Sequence, residues 1–186
     1  MVGAREFQIK RVATNELTPL EVDQIRDIMF AAFADDELGG FTEEDWQHSI
    51  GGVHFLLVVD GQVVSHASVV ERELHVAGRP LRTGYVEAVA TSPARQRLGY
   101  GSAVMREVNE HISRLYELGA LGTGSQAFYE RLGWQIWRGP SYVRAQTGDE
   151  PTADEDGYIL VLTTPTTLPL DMSAPISCEW REGDVW

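Results

Sequence analysis

Between Tyr85 and Met105 an apolar, strand-like run, Y-V-E-A-V-A-T, passes through a short polar loop into Q-R-L-G-Y-G and then into a helical pattern. A strand, a glycine turn and a helix start in this order build a backbone cradle for a diphosphate. Glycine lets the main chain approach a ligand closely, and the first amides of a helix lack intrahelical partners, so they face the anion. The segment therefore points to a nucleotide-tailed cofactor. It contains no G-x-x-x-x-G-K-[ST], which sets aside a nucleoside triphosphatase, and Gln96 stands where a dinucleotide fingerprint needs a glycine. Taken alone, the hexapeptide also fits a tight turn with no ligand.

The pattern that remains, Q-x-x-G-x-G at Gln96, Gly99 and Gly101 with Arg97, Leu98 and Tyr100 between, resembles the acyl-CoA signature of the Gcn5-related N-acetyltransferases. A second segment, S-Q-A-F-Y-E-R-L-G-W from Ser125 to Trp134, resembles that family's later motif, a short helix with an aromatic pair closed by glycine. Gly133 suits a helix C′ position because it accepts positive φ, and Trp134 can open the next strand. The two motifs come in the family's order. Val104, Val108, Ile112 and Leu115 recur between them at helical spacing, and L-G-A-L-G-T follows.

At 186 residues, with no linker-like composition break, the chain is read as one domain, 1–186, whose tail from about residue 176 to 186 completes an acceptor site. No apolar run reaches the roughly 18 residues of a membrane span, and M-V-G-A-R-E-F-Q lacks a signal peptide's apolar region. A soluble, cytoplasmic protein is expected. Cys178 is the only cysteine, which excludes an intrachain disulfide and points to a buried, inert thiol. A net charge of −13 and a pI near 4.7 argue against a nucleic-acid partner and suit a polycationic small molecule, although acidity also serves solubility. His48, His54, His66, His75 and His111 show no ligand spacing, so no metal is assigned.

A strand is expected at Phe7–Val12. Thr18, Pro19 and Glu21 then read as a capped start for a helix to about Phe33, with Val22, Ile25, Met29 and Phe33 on one face. Thr42 can cap a short helix containing Trp46 and Ile50. Strands at Val53–Val59 and Val63–Glu73 are joined by Asp60-Gly61, a hairpin signal, and a long strand from about Leu81 to Thr91 leads to the glycine loop. Strand, two helices, three strands, helix, strand, helix and strand is the order of the acetyltransferase fold. The resemblance implies an α/β (α+β) class: a central, mostly antiparallel mixed sheet, splayed at the acetyl-CoA site and flanked by helices.

Acetyl transfer to an amine needs a positioned thioester, an uncharged amine, a donor for the developing oxyanion and a proton for the departing thiolate. By resemblance, Gln96–Gly101 bind the CoA diphosphate, with charge from Arg97 and Arg95, while Val89, Ala90 and Thr91 pair with the pantetheine arm. The Val89 N–H is then the oxyanion donor. Glu87, two residues earlier among Val86, Ala88 and Ala90, is the candidate base; alternation alone instead puts it on a solvated face. Tyr129 sits where the family places a proton-donating tyrosine, and it also fits a core aromatic beside Phe128. Ser125 can simply cap the helix.

The segments F-T-E-E-D-W-Q-H, G-Y-V-E-A-V-A, D-E-D-G and C-E-W-R-E-G-D-V-W resemble those of the aminoglycoside 2′-N-acetyltransferases along nearly the whole chain. An aminoglycoside is a multiply protonated amino sugar, so convergent carboxylates suit it. The resemblance implies acceptor contacts from Asp36, Asp45, Glu87, Ala88, Gly122, Asp154, Glu155, Asp184 and Trp186, with Val185 and Trp186 offering an aromatic surface and a carboxylate. It also implies a homodimer. D-D-E-L-G-G is longer than the family pattern, so the acidic contact before F-T-E-E-D-W is Asp36 or is displaced; G-T-G-S replaces a serine-rich stretch. Asp45 equally suits a capping box with Thr42, and D-E-D-G a turn.

The leading expectation is acetyl-CoA-dependent acetylation of an aminoglycoside 2′-amine by direct attack in a ternary complex, since no Cys-His or Ser-His-Asp set stands out. The alternatives are the same chemistry on another small amine or a protein N-terminus, and a non-catalytic acyl-CoA-binding module.

Overall fold

The structure, a computed structural model, describes residues 6–34 and 40–186. The chain divides into two compact units, one comprising Met1–Val70 and Val86–Val108, the other Glu71–Tyr85 and Asn109–Trp186. Strand β3 (Gln62–Val76), strand β4 (Arg79–Thr91) and helix α3 (Tyr100–Leu115) each contribute to both.

In the first unit β1 (Gln8–Ala13) pairs antiparallel with β2 (Val53–Val59), and β2 with β3. Helix α1 (Pro19–Ala32) starts as its sequence dictates: Thr18 Oγ1 accepts from the Glu21 amide, and Glu21 reaches back to the Thr18 amide at 2.9 Å. Helix α2 (Glu43–Ser49) repeats the device with Thr42 and Asp45. Ile25, Ile28 and Met29 of α1 pack with Trp46 of α2 and with Val12, Leu56, Val63 and Ala90 from the strands. Asp60 and Gly61 both take positive φ, as a two-residue hairpin matched to strand twist requires.

The β2–β3 hairpin is not regular throughout. Next to the turn Val59 faces Gln62 and Val58 faces Val63, but Leu57 then faces Ser65, so Val64 is an extra residue in β3. The shift moves every later pair by one, so His66 faces Leu56 and Ser68 faces His54. A regular hairpin would have set His66 opposite Phe55, on the face away from His54.

The second unit adds β5 (Leu118–Gly122), α4 (Gln126–Glu130), β6 (Gln135–Ile136), β7 (Ser141–Ala145), β8 (Gly148–Pro151), β9 (Ile159–Thr163) and β10 (Ile176–Glu179). Hydrogen-bonded neighbours run β6-β9-β5-β4-β3-β10-β7-β8, with β1 and β2 joined beside β3. β4 with β5 and β7 with β10 are parallel; β5–β9, β6–β9, β3–β10 and β7–β8 are antiparallel. The sheet is thus mixed and mostly antiparallel, as expected. The core holds Trp134, Trp137, Tyr85, Leu74, Leu81 and Ile112, all fully buried.

The sequence order ends in one strand after α4, whereas five strands follow it. β6 has two residues, β8 is exposed throughout, and β10 takes a parallel partner, so none offers a clean period-2 pattern. β3 also runs beyond both ends expected for it, and β6 begins at Gln135 rather than Trp134. Among the described residues no helix is long and apolar enough to cross a membrane.

Candidate active site

The ladder between β4 and β5 ends with Tyr85 opposite Ala120, while β4 continues to Thr91. In this continuation Ala88 has φ of 51°, a left-handed conformation inside a strand, at a cost of about 1–3 kcal/mol. Side chains of β3 hold the carbonyls around it. Ser68 Oγ donates to Glu87 at 3.2 Å, His66 Nδ1 to Ala88 at 2.7 Å, and Ser65 Oγ to Ala90 at 3.1 Å. Glu87, Ala88 and Val89 are half-buried, and Ala90 is buried. Glu87 therefore lies neither on a fully solvated face nor in a closed core.

After β4 a 3-10 turn at Pro93–Arg95 leads into the glycine loop, where the Gln96 side-chain amide donates to the Thr91 carbonyl at 3.4 Å. Arg97 (φ 62°) and Gly99 (φ 83°) both adopt left-handed backbone, which turns the chain into α3. The Ala103 amide donates to Gly99, so the amides of Tyr100, Gly101 and Ser102 precede the helical ladder. A Cβ built on Gly99 meets nothing within 4 Å, so the space over the turn is open. Arg97 and Leu98 are exposed beside it, while Tyr100 buries its ring edge-on to Phe7 and offers only its amide. Open amides, a glycine turn and an adjacent arginine fit a diphosphate.

In the second unit Tyr129 is buried in α4, edge-on to Phe128 and Trp134. Burial raises its phenol pKa above the ordinary value near 10, so the hydroxyl stays protonated at neutral pH. Asn109 of α3 anchors this segment by accepting from the Trp134 indole at 3.0 Å and donating to Leu132 at 2.9 Å. Ser125 occupies the N-cap position of α4, but its side chain makes no capping bond, which corrects the expectation that it caps the helix. Gly133 takes φ of 94°, as its place after the helix demands.

The tail folds back within the same unit. The Trp186 indole N–H donates to Thr152 Oγ1 at 2.9 Å, its amide donates to Asp184 Oδ1 at 3.1 Å, and its carbonyl oxygen accepts from Arg181 Nη2 at 3.2 Å. The ring is only 4 % exposed, so Trp186 does not present the open aromatic surface expected of it. A Cβ on Gly122 would sit 3.6 Å from the Tyr85 hydroxyl and 3.7 Å from the Trp186 carbonyl oxygen. Arg72 and Arg181 lie against the Tyr85 ring at 4.6 and 5.6 Å, and Arg72 donates to Glu179 Oε1 at 2.9 Å. Burial raises the Glu155 carboxyl pKa, and the negative charges of Asp184 and Asp154 raise it further. Both aspartates thus act on Glu155, and a bound cation would relieve that repulsion.

Of the other expected acceptor residues, Asp45 is committed to the α2 cap, its Oδ2 accepting from the Thr42 amide at 2.8 Å and hydroxyl at 2.9 Å. Asp36 lies outside the described residues. Asp154 and Glu155 form a 3-10 turn, matching the turn reading of D-E-D-G. Cys178 is buried; burial pushes its thiol up to about 11, and it donates to the Val185 carbonyl at 3.3 Å. Among the described residues no group of three acids, histidines or cysteines is arranged for a metal.

The sequence reading passed over Ser65, His66 and Ser68. Their roles depend on the extra residue Val64, which no local motif marks, whereas the polar letters S-H-A-S inside an apolar strand were the available signal.

An acetyltransferase (GNAT) domain description matches residues 13–137. An aminoglycoside 2′-N-acetyltransferase of Mycolicibacterium fortuitum is 36 % identical over 179 residues, 94 % of this chain and 90 % of that protein. A GNAT family acetyltransferase from Brucella melitensis, solved with acetyl-CoA, superposes with a TM-score of 0.61 at 17 % identity, covering 93 % of this chain and 96 % of that one. A GCN5-related N-acetyltransferase from Kribbella flavida superposes with a TM-score of 0.57 at 21 % identity; this chain is covered to 72 % but spans only 34 % of that larger one. At such identities the solved structures speak for the fold alone. With the domain description covering more than half the chain and a relative of 36 % identity nearly all of it, this protein belongs to the GNAT acetyltransferase family.

Proposed function

We propose that this acetyltransferase moves the acetyl group of acetyl-CoA to the 2′-amine of an aminoglycoside, directly and within a ternary complex. The observation that carries the acceptor assignment is the 36 % identity to a 2′-N-acetyltransferase along 94 % of the chain. The charges of Asp184 and Asp154 acting on Glu155 support it, because a polycationic sugar relieves that repulsion. A net charge of −13 acts in the same direction at longer range.

Acetyl-CoA supplies an activated thioester. Its diphosphate suits the amides from Gly99 to Ser102 and the Arg97 guanidinium, and its pantetheine arm suits Val89–Thr91. The amine attacks as its proton passes to Glu87, while the Val89 N–H donates to the carbonyl oxygen as that oxygen gains charge. Tyr129, placed in the acid role by its position in the α4 motif, gives its proton to the departing thiolate. A C–N bond forms and a C–S bond breaks. From an amine that attacks uncharged, one proton leaves nitrogen for Glu87 and one reaches sulfur from Tyr129; exchange with solvent returns both side chains to their starting states, which closes the balance. We read the chain as a single catalytic domain, homodimeric and cytoplasmic, which sedimentation and cell fractionation test.

Thiol release from acetyl-CoA should occur with aminoglycosides carrying a 2′-amine and not with 2′-hydroxyl analogues. Release only with other small amines or peptide N-termini would change the acceptor, and acetyl-CoA binding without release would leave a binding module.

A further inference from the structure

Four hydrogen bonds join five residues in one chain in the first unit, from exposed Gly51 through Thr14, His54 and His66 to Ala88. Gly51 N–H lies 2.9 Å from Thr14 Oγ1, which lies 2.8 Å from His54 Nε2. His54 Nδ1 lies 2.9 Å from His66 Nε2, and His66 Nδ1 lies 2.7 Å from the Ala88 carbonyl oxygen. Both imidazoles are fully buried. Desolvation holds both pKa values below 6.5, and for His66 repulsion from His54 adds to it, so both rings are neutral at physiological pH.

The polarity of this chain follows from its last member. A carbonyl oxygen only accepts, so His66 carries its proton on Nδ1 and its Nε2 is an acceptor. His54 must then donate from Nδ1, which leaves its own Nε2 accepting from the Thr14 hydroxyl. Thr14 Oγ1 in turn accepts from Gly51. The Gly52 carbonyl is a second acceptor for the Thr14 hydroxyl, at 3.3 Å against 2.8 Å to His54 Nε2, and the direction of the chain ends at Ala88, the strained residue of β4.

The Ala88 carbonyl and the Val89 N–H belong to the same peptide group. That group is planar and trans, so its C=O and N–H point in opposite directions. A donor that fixes the Ala88 oxygen therefore also fixes where the Val89 N–H points, and a bond to the oxygen polarises the amide and strengthens the N–H as a donor. The orientation of this peptide is set by ψ of Ala88 and φ of Val89, so without that donor the group is free to turn about those bonds, and the N–H would turn with it. Simple satisfaction of a buried carbonyl would not need a second histidine that donates from its Nδ1 to His66 Nε2.

We propose that His66, backed by His54 and Thr14, is a positioning residue for acetyl transfer: its Nδ1–H sets the Ala88–Val89 peptide so that the Val89 amide is aimed at the oxyanion and strengthened as a donor. This rests on the reading of Val89 as the oxyanion donor given above.

The test uses the full-length enzyme with His66→Leu, which removes the donor, and His66→Asn, whose side-chain amide can reach the same carbonyl. Where the Leu variant does not fold, His66→Gln replaces it, because its amide reaches toward the Nε2 position instead. Three measurements are made: kcat and KM with acetyl-CoA and a 2′-amino aminoglycoside, CoA affinity by calorimetry, and the Val89 amide resonance in ligand-free protein. His66→Leu is expected to lower kcat about 10-fold to 100-fold, less than or comparable to losing an oxyanion donor. CoA affinity should stay within about twofold, a change worth less than RT. The Val89 resonance should move in the Leu variant and return in the Asn variant together with most of kcat.

Unchanged kcat in a folded Leu variant, or parallel losses of kcat and CoA affinity without rescue by Asn, would overturn the proposal. A shifted Val89 resonance with unchanged kcat would show that the peptide is set by His66 but that Val89 is not the oxyanion donor. Lack of turnover by the unsubstituted protein would instead reject the acetyl-transfer reading itself.

Discussion

The indole N–H of Trp186 donates to Thr152 Oγ1 at 2.9 Å, so the tail is latched to the segment that carries Asp154 and Glu155. Trp186→Phe keeps most of the ring volume and removes the donor. We expect a loss of about 1 kcal/mol in stability, as for one hydrogen bond, measured by urea unfolding. Trp186→Ala should cost about 3–5 kcal/mol and raise KM for the aminoglycoside while leaving KM for acetyl-CoA within twofold. Equal rises in both constants would contradict an acceptor-side role for the tail.

Gly99→Val tests the diphosphate cradle. A β-branched residue at φ of 83° is strained by about 1–2 kcal/mol and places bulk over the amides of Tyr100–Ser102. CoA affinity should fall at least about tenfold, which corresponds to 1.4 kcal/mol. Calorimetry on folded protein checks this, and unaltered affinity would contradict the site.

Glu87→Gln should lower turnover most near neutral pH, where the amine is largely protonated, and higher pH should partly restore it. General-base assistance typically contributes about 10²–10⁴-fold, and the loss at pH 7 should fall in that range. Tyr129→Phe should slow thiolate departure with CoA affinity nearly unchanged. A pH–rate series for both variants is the measurement. A Glu87→Gln rate equal to the parent at every pH would remove Glu87 from the chemistry.

Acid should destabilise the first unit through its buried imidazoles. Desolvation pushes His54 from 6.5 down to about 4 and His66 lower still, so native imidazoles stay neutral where unfolded ones take up protons. The unfolded state then binds more protons as pH falls below 6.5. The stabilisation is fully present above that value and is lost as pH falls toward 4, by on the order of 3 kcal/mol for His54 alone. His54→Phe should flatten this part of the stability–pH curve, which urea midpoints between pH 4 and 8 would reveal.

Where local chemistry decides structure, the sequence is readable. Thr18 with Glu21 and Thr42 with Asp45 announce two helix starts, and Asp60-Gly61 announces the hairpin, because each satisfies backbone groups within four residues. The glycine loop is legible for the same reason: Gly99 must take positive φ. Placement that depends on distant partners was not readable. Val64 shifts the β3 register and so brings His54 and His66 to one face, yet nothing beside it signals an extra residue. The latch of Trp186 onto Thr152 joins residues 34 apart, and the exposed β8 carries no alternation. Asp45 had two plausible jobs in the sequence, and the hydrogen bonds to Thr42 show that capping occupies one of its oxygens.

The most direct measurement is the position of the new amide in the product. An aminoglycoside with several amines is incubated with acetyl-CoA and the enzyme, and the product is assigned by two-dimensional NMR. The account predicts a single acetyl group on the 2′-nitrogen; acetylation of any other amine, or recovery of the unmodified drug, would contradict it.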